Sequence, residues 1–471
     1  MVFSSLTFLC LFLPATVLLH ALVKNGTARN IILLAASLLF YAWGEPIWIA
    51  AMIFSAAVNY VCARVIAGAK TVRGKKIALV IGILISLAAL LYFKYAAFLI
   101  NNFCAVFGMA FRMETPKLPI GISFYTFQII TYTVDVYRGD APLQKNPFWL
   151  LLYVSLFPQL IAGPIVRYSD VASSIGEREV TREGMGEGFF RFSLGLGKKV
   201  LLANLCGEVL KTLPEASAMS FASGWLAAIL FLLQLYFDFS GYSEMAIGLG
   251  RMLGFKFLEN FDAPFVSQSI TEFWRRWHIS LGSFFREYVY IPLGGNRVSI
   301  GRWIFNMAVV WGLTGIWHGA NWNFLLWGLY FGFFMVLERT VLKTLLAHTP
   351  RVLKHIGTLF LLLIGFVLFR SESFADIGYQ LRAMLAPWRV PFSDPYAVYT
   401  VKKELVLLIC CVIASLPLRK TAASFFARRE ASGKSFALLP VGKALIALAV
   451  TGLSLCFLVG QSFNPFLYFR F

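Results

Sequence analysis

Apolar runs of about 20 residues recur along the chain, each long enough to cross a bilayer as a helix. The first three fall at residues 3–23, 31–43 and 47–68, and the second is short for a full crossing. "WGEP" at 43–46 reads as a tight turn between two of them. From about 112 to 320 the pattern changes. "LPIGISFYTFQIITYTVDVYRGD", "FPQLIAGPIVRY" and "LYFDFSGYSEMAIGLG" are apolar stretches broken by Gly, Pro and charge. Broken backbone at membrane depth is tolerated only where protein or a water-filled cavity satisfies the freed N–H and C=O groups. The middle therefore reads as the working part, flanked by ordinary helices. The expectation is a single all-α, polytopic membrane domain over 1–471: N-terminal helices to about 110, a catalytic core over 112–330, and C-terminal helices over 331–471. No internal repeat is visible.

One stretch has helical periodicity with a different polarity, "SQSITEFWRRWHISLGSFFREYVYIPLGG" at 267–295. Ser269 and Glu272 fit a capping box, which predicts a helix from about 270. Phe273, Trp274, Trp277, Leu281, Phe284, Phe285 and Tyr288 then form one apolar stripe, with Arg275, Arg276, Ser283, Arg286 and Glu287 opposite. Charges this dense suit an interfacial or re-entrant helix rather than a spanning one. Two readings stay open: a membrane-surface anchor, or a basic face on which guanidinium groups meet an anionic ligand, with Arg251 and Lys256 adding to it.

Composition agrees with a membrane protein. Hydrophobic residues make up 59% of the chain and charged residues 14%, well below the charged share of a soluble domain. The net charge is +19, but the basic residues cluster in short loops. That is the positive-inside pattern and excludes a nucleic-acid partner. It predicts cytoplasmic loops at 69–76, 338–355 and 419–434, an outer loop at 371–403, and both termini outside. No basic residue precedes the first run, so it reads as a retained helix rather than a cleaved leader. Seven scattered cysteines include no C-x-x-C, which points to buried thiols and to no metal site. Signatures for nucleotide binding, serine hydrolysis and zinc proteolysis are absent.

His318 lies within "TGIWHGANWNF" at 314–324. An ionisable group in such a run is a functional candidate; the alternative is a packed imidazole donating one hydrogen bond. Gly315 and Gly319 thin the helix for close approach by another chain or a ligand, and Asn321 and Asn323 add polar groups where leucines would otherwise serve. A neutral imidazole is the form a general base requires. His278 flanks the apolar stripe of 270–288. Asp135, Arg138, Arg167, Asp238, Ser240, Ser243 and Glu244 are expected to pair with each other or with the arginines of 275–286.

"SITEFWRRWHISLGSFFREYVYIPLGGNR", followed about forty residues later by "GIWHGANWNFLLWG", resembles the membrane-bound O-acyltransferase (MBOAT) superfamily. The likeness is to its bacterial alginate O-acetylation branch, with peptidoglycan and cellulose relatives and the teichoic acid D-alanyl transfer protein. The motifs of residues 118–140, 157–168 and 235–255 and the ending "NPFLYFRF" extend it over nearly the whole chain. The resemblance implies a ring of tilted helices around a thinned core, with re-entrant or interfacial helices and a central tunnel. It places the family's histidine on His318 and a second position, Asn in other branches, on His278. It further implies acetyl-CoA as co-substrate with no tightly bound cofactor; Arg275, Arg276, Trp274, Trp277 and Asn321 are the candidate donor contacts. The implied setting is the bacterial inner membrane, with a transferase partner of the SGNH-hydrolase-like type outside it. The product would be an O-acetylated exported polysaccharide. Rival readings are D-alanyl transfer from a carrier protein, a non-catalytic acyl or polymer transporter, and a structural subunit that docks a transferase.

Overall fold

The computed structural model describes residues 1–160, 163–431, 438–460 and 466–467. Every regular element among them is a helix. Five described helices are long and apolar enough to cross a membrane: Ile49–Gly68, Val72–Val106, Phe221–Met252, Arg351–Arg370 and Leu439–Gly460. A bent pair, Leu405–Ser415 with Leu418–Phe426, makes a sixth if it counts as one span. The short run predicted at 31–43 begins earlier, as Gly26–Ala42, because Asn25 accepts from Ala28 N–H and caps it. Except for Phe466 and Leu467, the ending "NPFLYFRF" lies outside the described residues, as does part of the 419–434 loop.

Two compact units form. The first comprises Met1–Gly195, Tyr242–Leu258 and Leu458–Ser462; the second comprises Leu196–Gly241, Glu259–Phe457 and Phe463–Phe471. In the first unit, a polar knot ties three helices across an apolar interior. Asn59 donates to Ser86 Oγ at 2.8 Å and accepts from Thr133 Oγ1 at 2.8 Å. Arg178 is fully occupied there by the Leu253 carbonyl, Asn30 and His20, with the Phe255 ring beneath it. Buried polar groups left unpaired cost more than these bonds gain, so such knots are placed where helices meet.

In the second unit, the helices Ile300–His318 and Trp322–Arg339 form a tight hairpin. Their backbones nearly touch. A Cβ added at Gly315 would stand 2.3 Å from the Phe324 carbonyl oxygen, and one at Gly328 2.2 Å from that of Trp311. The glycines flanking His318 thus do admit another segment, and that segment is the chain's own next helix.

Three expectations change. The helix predicted over 270–288 is two, Ile270–Arg276 and Ile279–Phe285, followed by a π-helical turn at Arg286–Tyr290. Trp277 is extended and His278 left-handed, with φ 47° and ψ 52°. The break is held from outside the helix: Asp262 N–H donates to Arg276 O, and Ile279 N–H to Asn260 O, both at 2.9 Å. The predicted outer loop 371–403 is largely helical, as Phe374–Leu385 and Pro395–Lys403, capped by Ser373 and Asp394. Finally, Asp238 and Glu244 pair with neither each other nor the 275–286 arginines. Asp238 meets Lys199 at 2.5 Å and Glu244 meets Arg191 at 2.7 Å.

Because the hairpin has no room for a side chain at its crossing, Gly315→Ala and Gly328→Ala should each destabilise the detergent-solubilised protein by about 1–3 kcal/mol, the usual range for overpacking. Gly312→Ala, whose nearest neighbour would be 3.8 Å away, should unfold thermally like the wild type.

Candidate active site

The second unit contains a cavity of about 1500 Å³, with one wall from residues 269–297 and the other from the glycine hairpin. Its chemistry is set by which charges have partners. Arg275, Arg286, Arg297 and Arg339 line it, and none makes an ion pair among the described residues. Arg339 instead lies 4.6 Å over the Trp303 ring. The one carboxylate on the wall, Glu338, is occupied: it accepts from Ile270 N–H at 2.6 Å, Thr271 N–H at 2.9 Å and Thr271 Oγ1 at 2.6 Å. It therefore caps the helix Ile270–Arg276 rather than neutralising the arginines. The result is an apolar, tryptophan-rich cavity with a strongly positive rim, suited to a ligand carrying phosphates and an uncharged reactive end.

Both candidate histidines belong to this unit and are buried, His278 at 2% and His318 at 6% exposure. His278 lines the cavity. Its Nδ1 stands 3.2 Å from Asn260 Oδ1, which also accepts from Ser280 N–H at 3.2 Å and Ser280 Oγ at 2.9 Å. A backbone N–H can only donate, so the Asn260 atom is the oxygen and His278 carries its proton on Nδ1. Nε2 is then the lone-pair nitrogen. Burial pulls the His278 pKa well below the ordinary imidazole range. The Phe239 ring packs edge-on at 4.6 Å.

His318 ends the helix Ile300–His318 and is not itself on the cavity wall; Thr314, one turn earlier, is. Its ring sits in an aromatic shell of Trp317 and Trp327 at 5.0 Å each and Phe369 at 5.3 Å. Trp317 also contacts His278, at 6.1 Å, so one indole adjoins both imidazoles. Trp274 lines the cavity and meets Trp327 at 5.4 Å. Aromatic edges thus run from the cavity wall to His318.

The other sequence candidates divide. Trp274, Trp277 and Arg275 line the cavity. Arg276 turns away, bonded to Glu272 at 2.9 Å and to the Asp262 carbonyl at 3.2 Å. Asn321 caps the helix Trp322–Arg339 and donates to the Glu372 carbonyl. Asn323, fully inside, donates to the Leu368 and Ser371 carbonyls. Sequence reasoning passed over Asn260, Arg297 and Trp327. Asn260 and Arg297 lie in loops without periodicity, and Trp327 reads as one more apolar helix residue.

Comparison with known proteins adds four findings. Residues 143–369 match the family model of the membrane-bound O-acyltransferases. The chain is 36% identical to the probable alginate O-acetylase AlgI of Azotobacter vinelandii over the full length of both. It is 39% identical to that of Pseudomonas syringae pv. tomato over 92% of this chain and 85% of the relative. A peptidoglycan O-acetyltransferase of Helicobacter pylori is 33% identical over 82% of this chain and 80% of its own length.

A left-handed backbone tolerates Asn far better than a β-branched residue. His278→Asn should fold like the wild type, and His278→Val should lose about 1–3 kcal/mol through backbone strain. The pH dependence separates the wild type from His278→Asn. The unfolded chain protonates this imidazole below about pH 6.5 and the native protein does not, so the native state loses stability as the medium is acidified below that value. Thermal unfolding of wild type against His278→Asn, scanned from pH 7 to pH 5, should show the wild type falling more steeply.

Proposed function

The chain belongs to the membrane-bound O-acyltransferase family, and from that premise we propose that it passes acetyl groups from cytoplasmic acetyl-CoA across the membrane for O-acetylation of an exported polysaccharide. The observation that carries the reading is the cavity: four arginines at its wall without an ion pair among the described residues, His278 on it, and His318 one aromatic layer beyond.

The donor enters with its phosphates at Arg275, Arg286, Arg297 and Arg339, and its pantetheine arm lies along the tryptophans. Guanidinium forks hold phosphate oxygens with two parallel bonds, which fixes direction as well as charge. His278, locked by Asn260 and by its own left-handed backbone, orients the donor. His318 takes the proton of the acceptor hydroxyl as that oxygen attacks the thioester carbon. The aromatic shell around His318 excludes water, which would otherwise hydrolyse the thioester. The acceptor hydroxyl arrives from the outer side, supplied by an SGNH-hydrolase-like partner that then acetylates the polymer. In this arrangement the basic loops at 69–76, 338–355 and 419–434 face the cytoplasm of a bacterial inner membrane, and Arg339 lies on the donor side.

The test is acceptor-dependent release of CoA from radiolabelled acetyl-CoA by the purified protein in detergent. His318→Ala should lower it by 10²–10⁴-fold, on the order of what general-base catalysis supplies, at unchanged thermal stability. Full activity in that variant would remove His318 from the chemistry. Arg275→Ala should weaken CoA binding about tenfold or more, as loss of a charged hydrogen bond does. Arg276→Ala should change it little, since that guanidinium is already held by Glu272. A protein indifferent to free CoA in every arginine variant would point to a carrier-protein donor instead.

A further inference from the structure

The chemistry proposed above leaves one charge without a partner. When the acceptor oxygen bonds to the thioester carbon, the carbonyl π pair moves onto oxygen, and a tetrahedral oxyanion forms as the hydroxyl proton passes to His318. Collapse then restores the carbonyl, breaks the C–S bond and returns that proton to the departing thiolate. Acyl-transfer sites place hydrogen-bond donors where this oxyanion develops. His278 is the obvious candidate, and its tautomer excludes it: Nδ1–H is committed to Asn260, and neutral Nε2 can only accept. Asn323 spends its amide N–H groups on the Leu368 and Ser371 carbonyls. The arginines belong to the phosphates.

Two donors remain. The indole Nε1–H groups of Trp274 and Trp327 are both buried and have no hydrogen-bond partner among the described residues. Trp327 is 1% exposed, and its ring lies 5.0 Å from that of His318. Trp274 lies on the cavity wall, 5.4 Å from Trp327 and nearly perpendicular to it. A buried indole normally finds a partner, because leaving its N–H unsatisfied costs the full desolvation of that group. Phe would supply most of the aromatic packing without that cost. Two such orphans in edge contact, leading from the donor cavity to the proposed base, are a feature that packing does not account for.

We propose that the indole N–H groups of Trp274 and Trp327 bind the carbonyl oxygen of the acyl thioester and stabilise the oxyanion that forms on it. This rests on reading His318 as the base and an acyl thioester as the donor. The indoles exchange no proton. Trp274 meets the carbonyl from the cavity side, and Trp327 holds it within reach of His318. Trp→Phe at either position keeps an aromatic side chain and removes the donor, along with one fused ring.

Infrared difference spectra of acetyl-CoA, ¹³C-labelled at the carbonyl and bound to the His318→Ala protein, read this contact without turnover. Hydrogen bonding lowers the carbonyl stretch, so adding Trp274→Phe or Trp327→Phe to that background should move the band upward, toward its position in solution. In the otherwise wild-type protein each change should lower kcat by about 10²-fold, the usual effect of losing one such donor, with KM for acetyl-CoA nearly constant. A purely packing role would not move the band. An unmoved band with acetyl-CoA still bound in both variants overturns the indole assignment and leaves the acyltransferase reading intact. Failure of the His318→Ala parent to bind acetyl-CoA would sink that reading and this proposal with it. Should Trp327→Phe not fold, Trp274→Phe alone decides, since its ring borders open cavity.

Discussion

The site hangs on a backbone-to-backbone contact. At the crossing of Ile300–His318 with Trp322–Arg339, Gly315 and Gly328 leave no side chain between the helices. The close approach lets the aromatic residues on either side of the crossing, Trp311, Trp327 and Phe331, interlock instead. From there the geometry follows in steps. His318 stands at the end of the first helix, against Trp327 of the second. Glu338, near the far end of the second, reaches the N-terminus of Ile270–Arg276 and holds it with three hydrogen bonds. That helix ends one residue before the extended Trp277 and the left-handed His278. The two imidazoles are therefore placed by one rigid frame, although forty residues separate them. A looser crossing would release all of it, since packed interiors do not deform gradually.

How much of this was legible follows from which forces are local. The spans were readable because a bilayer imposes length and apolarity on each run separately. The capping of residue 270 was readable because Ser269 and Glu272 lie within one turn. The break at 277–278 was not. Apolar periodicity continues through it, and what holds it open, Asn260 and Asp262, comes from another segment. The helices of 374–385 and 395–403 were missed for a different reason. Prolines and mixed charge suggested a loop, yet Ser373 and Asp394 are local caps that the pattern contained. Gly315 and Gly319 announced a close approach, but composition cannot say which segment approaches.

Charge pairing explains why similar residues ended with different uses. A buried ion is tolerable only with a counter-ion and hydrogen bonds. Lys199 with Asp238, and Arg191 with Glu244, meet that condition and serve as internal fastenings. Arg276 meets it at the surface through Glu272. Its neighbour Arg275 lines the cavity and has no carboxylate partner among the described residues, like Arg286, Arg297 and Arg339. Adjacent arginines in "WRRW" are thus opposite in use, and only the three-dimensional census of acids separates them. An unpaired cationic wall facing an apolar cavity favours a ligand that brings several negative charges and then an uncharged arm, which is the shape of a coenzyme thioester.

The same census applied to neutral polar groups sorts the imidazoles from the indoles. Asn260 fixes the proton of His278 on Nδ1 and so makes Nε2 an acceptor. Burial opposes a second proton, so His278 cannot become a donor by charging. The two tryptophans are the reverse case, since an indole nitrogen can donate and can never accept. A reaction that moves a proton off a hydroxyl while building negative charge on a carbonyl oxygen needs both kinds of group, in separate places. The base must accept, and the groups facing the new charge must donate without being bases themselves, or they would lose the proton they are needed to hold. Trp274 and Trp327 satisfy the second condition by their chemistry alone. Trp327 beside His318, and Trp274 one ring farther toward the cavity, place that chemistry where the charge would form.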